Sequence, residues 1–381
     1  MPTIDLGSVV GPQGEQGNTG AQGPQGVAGP SLISTTTQTT LNGVLAGDGS
    51  VVGVKSVDAT PTNLSTNLVQ SGGVYDMIKT DDAYLKSTTV NPNLLDNWYF
   101  VGGGSQQGGG QFPINQRGTT TGSTTNAVYF IDRWLTTYGS AVGTWALTSS
   151  GLKITPSGSS VTAIYQAIDD TNLNGKTVTA SALLSDGTLI TGTVVRSSGT
   201  AQDISSDSKL RFWGTPSKFR FQTTTEVTVV ALKLEIGSTQ TLCHNEGTDA
   251  NPTWVLNEVP NYQQELAKCQ RYFYSIDNYS NVPIVGSGCV TISPTNAAIF
   301  FPTPVSMRKA APTITFTGTV SLWHGSTIGS SAPAVTAITD ASLSPSGVAA
   351  TVKVASGLAT GESCFVQLRD SNAKITISCD L

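Results

Sequence analysis

Between Gly11 and Ser31 the chain reads GPQ GEQ GNT GAQ GPQ GVA GPS, and Gly11, Gly14, Gly17, Gly20, Gly23, Gly26 and Gly29 keep an unbroken period of three. Where three polyproline-II strands crowd a common axis only Gly fits, so a strict three-residue period with Pro at X positions specifies a collagen-like triple helix. At about 3 Å per residue the tract would make a stalk of roughly 60 Å. A flexible Gly/Pro linker, the alternative, needs no period. A triple helix this short is unstable alone. The reading therefore carries two expectations: the chain is a homotrimer, and a trimeric domain downstream holds the strands in register.

Composition supports β-structure for the rest. Only 12% of the 381 residues are charged, against about 25% in an average globular chain. Yet 38% are hydrophobic, six are Trp and the net charge is only −5, which rules out simple disorder. The 41 Gly and many Ser and Thr leave few long side chains for soluble helices. With 20 Lys and Arg dispersed along an acidic chain there is no basic stripe for phosphates, so nucleic-acid binding is not expected. The N-terminus MPTIDLGSVVGPQG shows no basic or apolar leader region, and no apolar run reaches the roughly 18 residues of a membrane span. A soluble protein made without a signal peptide, and not inserted in a membrane, is expected.

Cys243, Cys269, Cys289, Cys364 and Cys379 are odd in number and widely spaced. Without a CxxC or Cys/His ligand spacing they read as small buried hydrophobes, not a zinc site. No cofactor or metal is implied. The two histidines, His244 and His324, sit in no nucleophile motif.

After the triplets, residues 32–90 read as a trimeric shaft. LNGVLAGDGSVVGV gives short strands broken by Gly43, Gly47 and Gly49. In NLVQSGGVYDMIKTDDAYL, Ser71 is a candidate N-cap, and Val74, Met77 and Ile78 fall at i, i+3, i+4 of a short helix whose narrow stripe three copies could bury. Residues 91–243 are a run of Thr/Val/Ile strands with turn residues between them. Val178, Ala180 and Ala182 would share one face, as would Val227, Val229 and Ala231, which predicts a β-sandwich of jelly-roll type. Residues 244–273 form a linker with an amphipathic helix, Pro260 at its first position and Tyr262, Leu266, Cys269 and Phe273 along one side. Residues 274–381 form a C-terminal β-sandwich head, with GCVTISP, TITFTGTVSLW, ATVKVASG, CFVQLRD and AKITISCDL as strands.

LNGVLAGDGSVVGV followed by PTNLSTNLVQSGGVYDMI resembles linker and shaft segments of bacteriophage tail fibres, which are homotrimers. NLLDNWYF (93–100), INQRG (114–118) and YFIDRW (129–134), in that order, look like the carbohydrate-binding-module-like sandwich of tail and baseplate proteins from phages of Gram-positive bacteria. KLEIGSTQT followed by NYQQELAKCQRYF resembles the same group, and FFPTPVSMRKAAPTITF resembles the start of its terminal domain. The chain departs from the pattern by inserting GGGSQQGGGQF between NWYF and INQRG. The resemblance implies a virion tail-fibre or receptor-binding protein, attached to a baseplate or tail protein through residues 1–10 and to bacterial cell-surface polysaccharide through its β-domains.

Sugar rings stack their CH faces on aromatic side chains while their hydroxyls bond to polar groups. Glycan-binding candidates are Trp98, Tyr99, Trp134, Tyr138, Trp145 and Trp213 in the middle domain, with Tyr165 also available. Asn115, Gln116, Arg117, Asp132 and Arg133 lie near in sequence. The alternative for each Trp is a core plug, and Asp132 with Arg133 reads as an ion pair fixing a corner. In the head, Trp323 and His324 in LWHGSTIGSS form a distal candidate, with packing at a trimer interface the alternative for Trp323. Two other function classes stand beside the adhesin. A glycan depolymerase needs paired carboxylates, and the adjacent Asp169 and Asp170 would point to opposite faces of a strand. A bacterial surface collagen-like protein would carry a longer, Thr-richer triplet tract.

Overall fold

The computed structural model describes residues 13–24, 44–47, 52–59, 67–70, 74, 91–104, 111–124, 127–136, 143–168, 172–214, 217–248, 250–278, 283–308, 312–325 and 332–380. The chain divides into two compact units, Met1–Ala83 and Tyr84–Leu381. In the first, residues 13–24 are exposed and carry neither helix nor strand. Val44–Gly47 and Val52–Lys55 form an antiparallel pair, the Gly-punctuated strands expected there, and Val57–Asp58 lies parallel to Leu68–Val69. Of the short helix expected after Ser71, only Val74 is among the described residues, its N–H donating to the Gln70 carbonyl at 3.1 Å. Met77 and Ile78 lie outside them, as do Gly11, Gly26 and Gly29.

The second unit begins with a sandwich of two six-stranded sheets. Sheet A runs Gln202–Asp203, Leu210–Trp213, Lys218–Thr223, Thr162–Ala167, Trp134–Thr136, Tyr129–Ile131. Sheet B runs Leu189–Val195, Thr177–Leu184, Val227–Ile236, Gly151–Pro156, Gly143–Thr148, Thr121–Ser123. Alternation fills the space between them: Phe212, Phe219, Phe221 and Ile164 from sheet A meet Val178, Ala180, Ala182, Leu152 and Ile154 from sheet B in one core. The pattern expected for Val227, Val229 and Ala231 breaks once. Leu183 pairs with Ala231 but Leu184 with Val229, so Val230 is an extra residue, a β-bulge. The bulge moves Ala231 to the opposite face from Val229 and brings Leu232 and Leu234 opposite Ala182 and Ala180. The face opposite Leu232 and Leu234 carries Lys233 and Glu235, both fully buried; Glu235 accepts from the Thr241 N–H at 2.7 Å and Lys233 donates to the Thr241 carbonyl at 3.3 Å.

The hairpin Cys243–Asn245 with Trp254–Leu256, expected in a linker, packs Trp254 and Leu256 against the sandwich core. The one helix among the described residues spans Tyr262–Gln270 and is capped by Asn261, whose side chain accepts from the Gln264 N–H at 3.1 Å. Pro260 therefore precedes the cap instead of opening the helix, and Phe273 already belongs to a strand. The head that follows is a three-stranded sheet C (Phe273–Asp277, Lys374–Ser378, Thr313–Thr317) and a six-stranded sheet D (Val320–His324, Ser363–Leu368, Ile284–Ser293, Asn296–Pro302, Gly347–Val354, Val335–Ser344). Ile314, Ile375 and Ile377 from sheet C share a core with Ile299, Phe301, Leu322 and Val366 from sheet D.

Polar contacts weld head to sandwich. Asn97 is the hub of the NWYF, INQRG and IDRW segments: its side chain accepts from the Ile114 N–H at 2.7 Å and donates to the carbonyls of Ile114 and Asp132, each at 2.9 Å. Its own N–H donates to Glu265 on the helix at 2.8 Å. Its φ of 53° is a left-handed conformation that Asn tolerates better than most side chains. Gln116 donates to the Phe273 carbonyl at 2.8 Å, Lys374 donates to the Gln116 carbonyl at 2.9 Å, and Arg117 pairs with Asp380 at 2.5 Å while lying over the Phe273 ring. The expected Asp132–Arg133 pair does not form. Arg133 pairs with Asp96 at 3.0 Å and stacks on Tyr272, whereas Asp132 turns to Arg117 at 3.6 Å and Gln116 at 3.0 Å. The two residues form the turn between paired Ile131 and Trp134, where Arg133 takes a φ of 72°, and each finds its partner on another segment.

Candidate functional site

Most aromatic candidates of the middle domain are structural. Trp134 is completely buried, its indole N–H donating to the Asn97 carbonyl at 2.9 Å and its ring edge-on to Phe100 and Phe219. Trp98 and Trp145 are buried in the same core, Trp145 against Phe130 with ring centres 4.6 Å apart. None of the three can stack on a sugar, because apolar burial between the sheets takes both faces of each ring. Tyr99 is half-buried and packs edge-on to Phe112, which in turn meets Tyr262 of the helix. The inserted GGGSQQGGGQF thus ends in a residue that anchors the helix. Asn115, Gln116, Asp132 and Arg133 are buried in the junction, Asn115 and Gln116 bordering a cleft at the foot of the helix. Tyr138, Asp169 and Asp170 lie outside the described residues.

Trp323 and His324 lie on the edge strand of sheet D, and the register brings them two partners that the sequence reading missed. Trp323 stands directly opposite Phe365, ring centres 5.9 Å apart, and Phe365 is 37% exposed. His324 is buried, and its Nδ1 lies 2.6 Å from Glu362 Oε2. Trp323, His324, Gly325, Glu362, Ser363 and Phe365 line a pocket of about 240 Å³. The row continues across the sheet from Phe365 to Ser287 and Phe300, all on the face turned away from the buried Leu322, Val366 and Ile299. Phe365 also borders a second cleft of about 400 Å³ with Tyr274, Ile284 and Pro302. That cleft shares Tyr274 and Ile284 with a third, of about 480 Å³, at the foot of the helix. Alternation in SCFVQL held the clue: Cys364 and Val366 mark the core positions, so Phe365 is a large aromatic at a solvent position.

Trp213 is the other accessible candidate, 37% exposed at the end of its strand. The guanidinium carbons of Arg211 and Arg220 lie 5.1 and 4.6 Å from its ring centre. Tyr165, by contrast, is buried in the same sheet.

Titration adds no nucleophile. Burial pushes the Cys243 thiol up to about 12 and Cys364 to about 11, and holds Cys269 well above its ordinary value. Cys289 departs from the expected burial and is exposed. Among the described residues no disulfide forms, and no group of three or more His, Cys, Asp or Glu is placed to hold a metal ion. The Trp323 pocket offers groups suited to binding: two aromatic faces accept CH groups, while a carboxylate, an imidazole and a serine hydroxyl accept or donate hydrogen bonds. No family model, curated protein or solved structure matches this chain.

Proposed function

We propose that the chain is a homotrimeric virion tail-fibre or receptor-binding protein that attaches a phage to host cell-surface polysaccharide without covalent chemistry. In this reading residues 1–10 join a baseplate or tail protein and the collagen-like triple helix is a spacer. The jelly-roll-like sandwich then carries a distal head. The observation that carries the reading is the Trp323–Phe365 pair, two large aromatic side chains on the solvent face of a sheet beside the His324–Glu362 contact. The triplet register supplies the three-fold arrangement. Three equivalent pockets on one head give avidity, so a weak single-site affinity is enough for adhesion.

The test compares the full chain with Trp323→Ala and Phe365→Ala for binding to a panel of Gram-positive cells, with reducing sugar assayed in the supernatant. Each substitution should weaken cell binding by about tenfold or more, the loss of one aromatic stacking platform amplified over three sites. No sugar should be released. Unchanged cell binding in both variants would refute the tip assignment. Sugar release would turn the reading to a depolymerase.

A further inference from the structure

Sheet A carries an unusual row on the face turned away from its core. In directly opposed register, strand by strand, stand Asp203, Arg211, Arg220, Tyr165 and Leu135. Their neighbours Phe212, Phe219, Phe221 and Ile164 enter the sandwich core, so alternation places the row on the other face. Like charges directly opposite each other across two strands destabilise a sheet. Asp203 answers one of them, pairing with Arg211 at 2.9 Å. Arg220 has no such answer. It is only 8% exposed, its Nε has no hydrogen-bond partner among the described residues, and no described carboxylate lies within ion-pair distance. Burial, seconded by the Arg211 charge, pulls the guanidinium below its ordinary range, against Tyr165 and Asp203.

Aromatic rings flank this cation, with Trp213 at 4.6 Å and Tyr165 at 5.3 Å from the guanidinium carbon to the ring centres. Rings hold a guanidinium plane but do not satisfy its N–H groups, and a desolvated, unpaired charge is costly to keep. A planar fork with open donors fits the oxygens of a carboxylate or a phosphate. The exposed face of Trp213 beside it fits the CH face of a sugar or the carbon chain of a polyol. The local charge also runs against that of the whole chain, whose formal net charge is −5.

We infer that Trp213, Arg211 and Arg220 form a second binding site, specific for an anionic wall or capsular polymer, with Arg220 taking the acidic group and Trp213 stacking on the adjacent ring or polyol. The inference rests on the adhesin reading above and supplies its ligand class. The acidic group can be the carboxylate of a uronic acid or the phosphodiester of a polyol-phosphate polymer.

Calorimetric titration of the full chain with oligogalacturonate, poly(glycerol phosphate) and neutral dextran separates these sources. Binding is expected for at least one anionic polymer and not for dextran, and it should weaken as salt is raised. Arg220→Gln should weaken it by about tenfold or more, the loss of a charge-assisted contact. The same variant should melt at or above the wild-type temperature, because it removes a like-charge opposition; a purely structural Arg220 would lower it. Trp213→Ala, at an exposed position, checks the site if Arg220→Gln does not fold. No response to either anionic polymer, equal binding of dextran, or unchanged affinity in both variants would overturn the site. Wild-type cell binding without any polymer response sinks this site alone, whereas Arg220-dependent polymer binding without cell binding sinks the adhesin reading alone.

Discussion

Asp132 is fully buried, and burial pushes its carboxyl up to about 6 although Arg117 and hydrogen bonds from Gln116 pull it down. A carboxyl at about 6 when folded, against 3.8 ordinarily, holds its proton more tightly in the folded chain than in the unfolded one. The stability this group contributes is therefore full below about 4 and is lost as pH rises through about 6. Asp132→Asn keeps an oxygen for the Gln116 N–H and removes the titration. Its urea midpoint should vary less between pH 4 and 6 than that of the wild type, and equal slopes would contradict the assignment. At this scale the sequence was only partly legible. Residue type marked Trp98, Trp134, Trp145, Trp213 and Trp323 as either core plugs or platforms, but their burial depends on strands far apart in the chain.

Among the elements, the helix was read from the spacing of Tyr262, Leu266 and Cys269, and these do pack with Phe112 and Ile114. Its start depends on a cap. Asn261→Ala removes the acceptor for the Gln264 N–H and should cost about 1 kcal/mol in chemical denaturation. A change within error would mean that tertiary packing alone positions the helix. Most head strands were visible through period-two alternation, since a regular strand with one buried face must alternate. Val335–Ser344 was not. Its register with Gly347–Val354 shifts twice, between Val335 and Ala337 and between Thr339 and Ser342, and Asp340 turns to a φ of 54°. Each bulge resets the period, so no simple alternation survives in TAITDASLS. The bulge at Val230 misled in the same way, reversing the face assigned to Ala231.

For the whole molecule, the glycines of the triplet tract bear on assembly. A Cβ added at Gly14, Gly17, Gly20 or Gly23 meets nothing within 4 Å in the single chain. Gly becomes obligatory there only when three strands share an axis. Light scattering on the wild type should return three times 39.5 kDa, and Gly20→Ala should lower the first melting transition seen by circular dichroism. A monomer mass would remove the triple helix from the account. The sequence by itself determined the β-rich character, the helix and the three-residue period, because each follows from local backbone sterics and side-chain periodicity. Only the tertiary structure decided that Phe365 meets Trp323, that Arg211 opposes Arg220, and that Asp132 and Arg133 part to separate partners. Those meetings depend on the register between strands and on how separate segments pack, from the adjacent strands of Arg211 and Arg220 to the distant ones of Trp323 and Phe365, and residue type alone does not encode it.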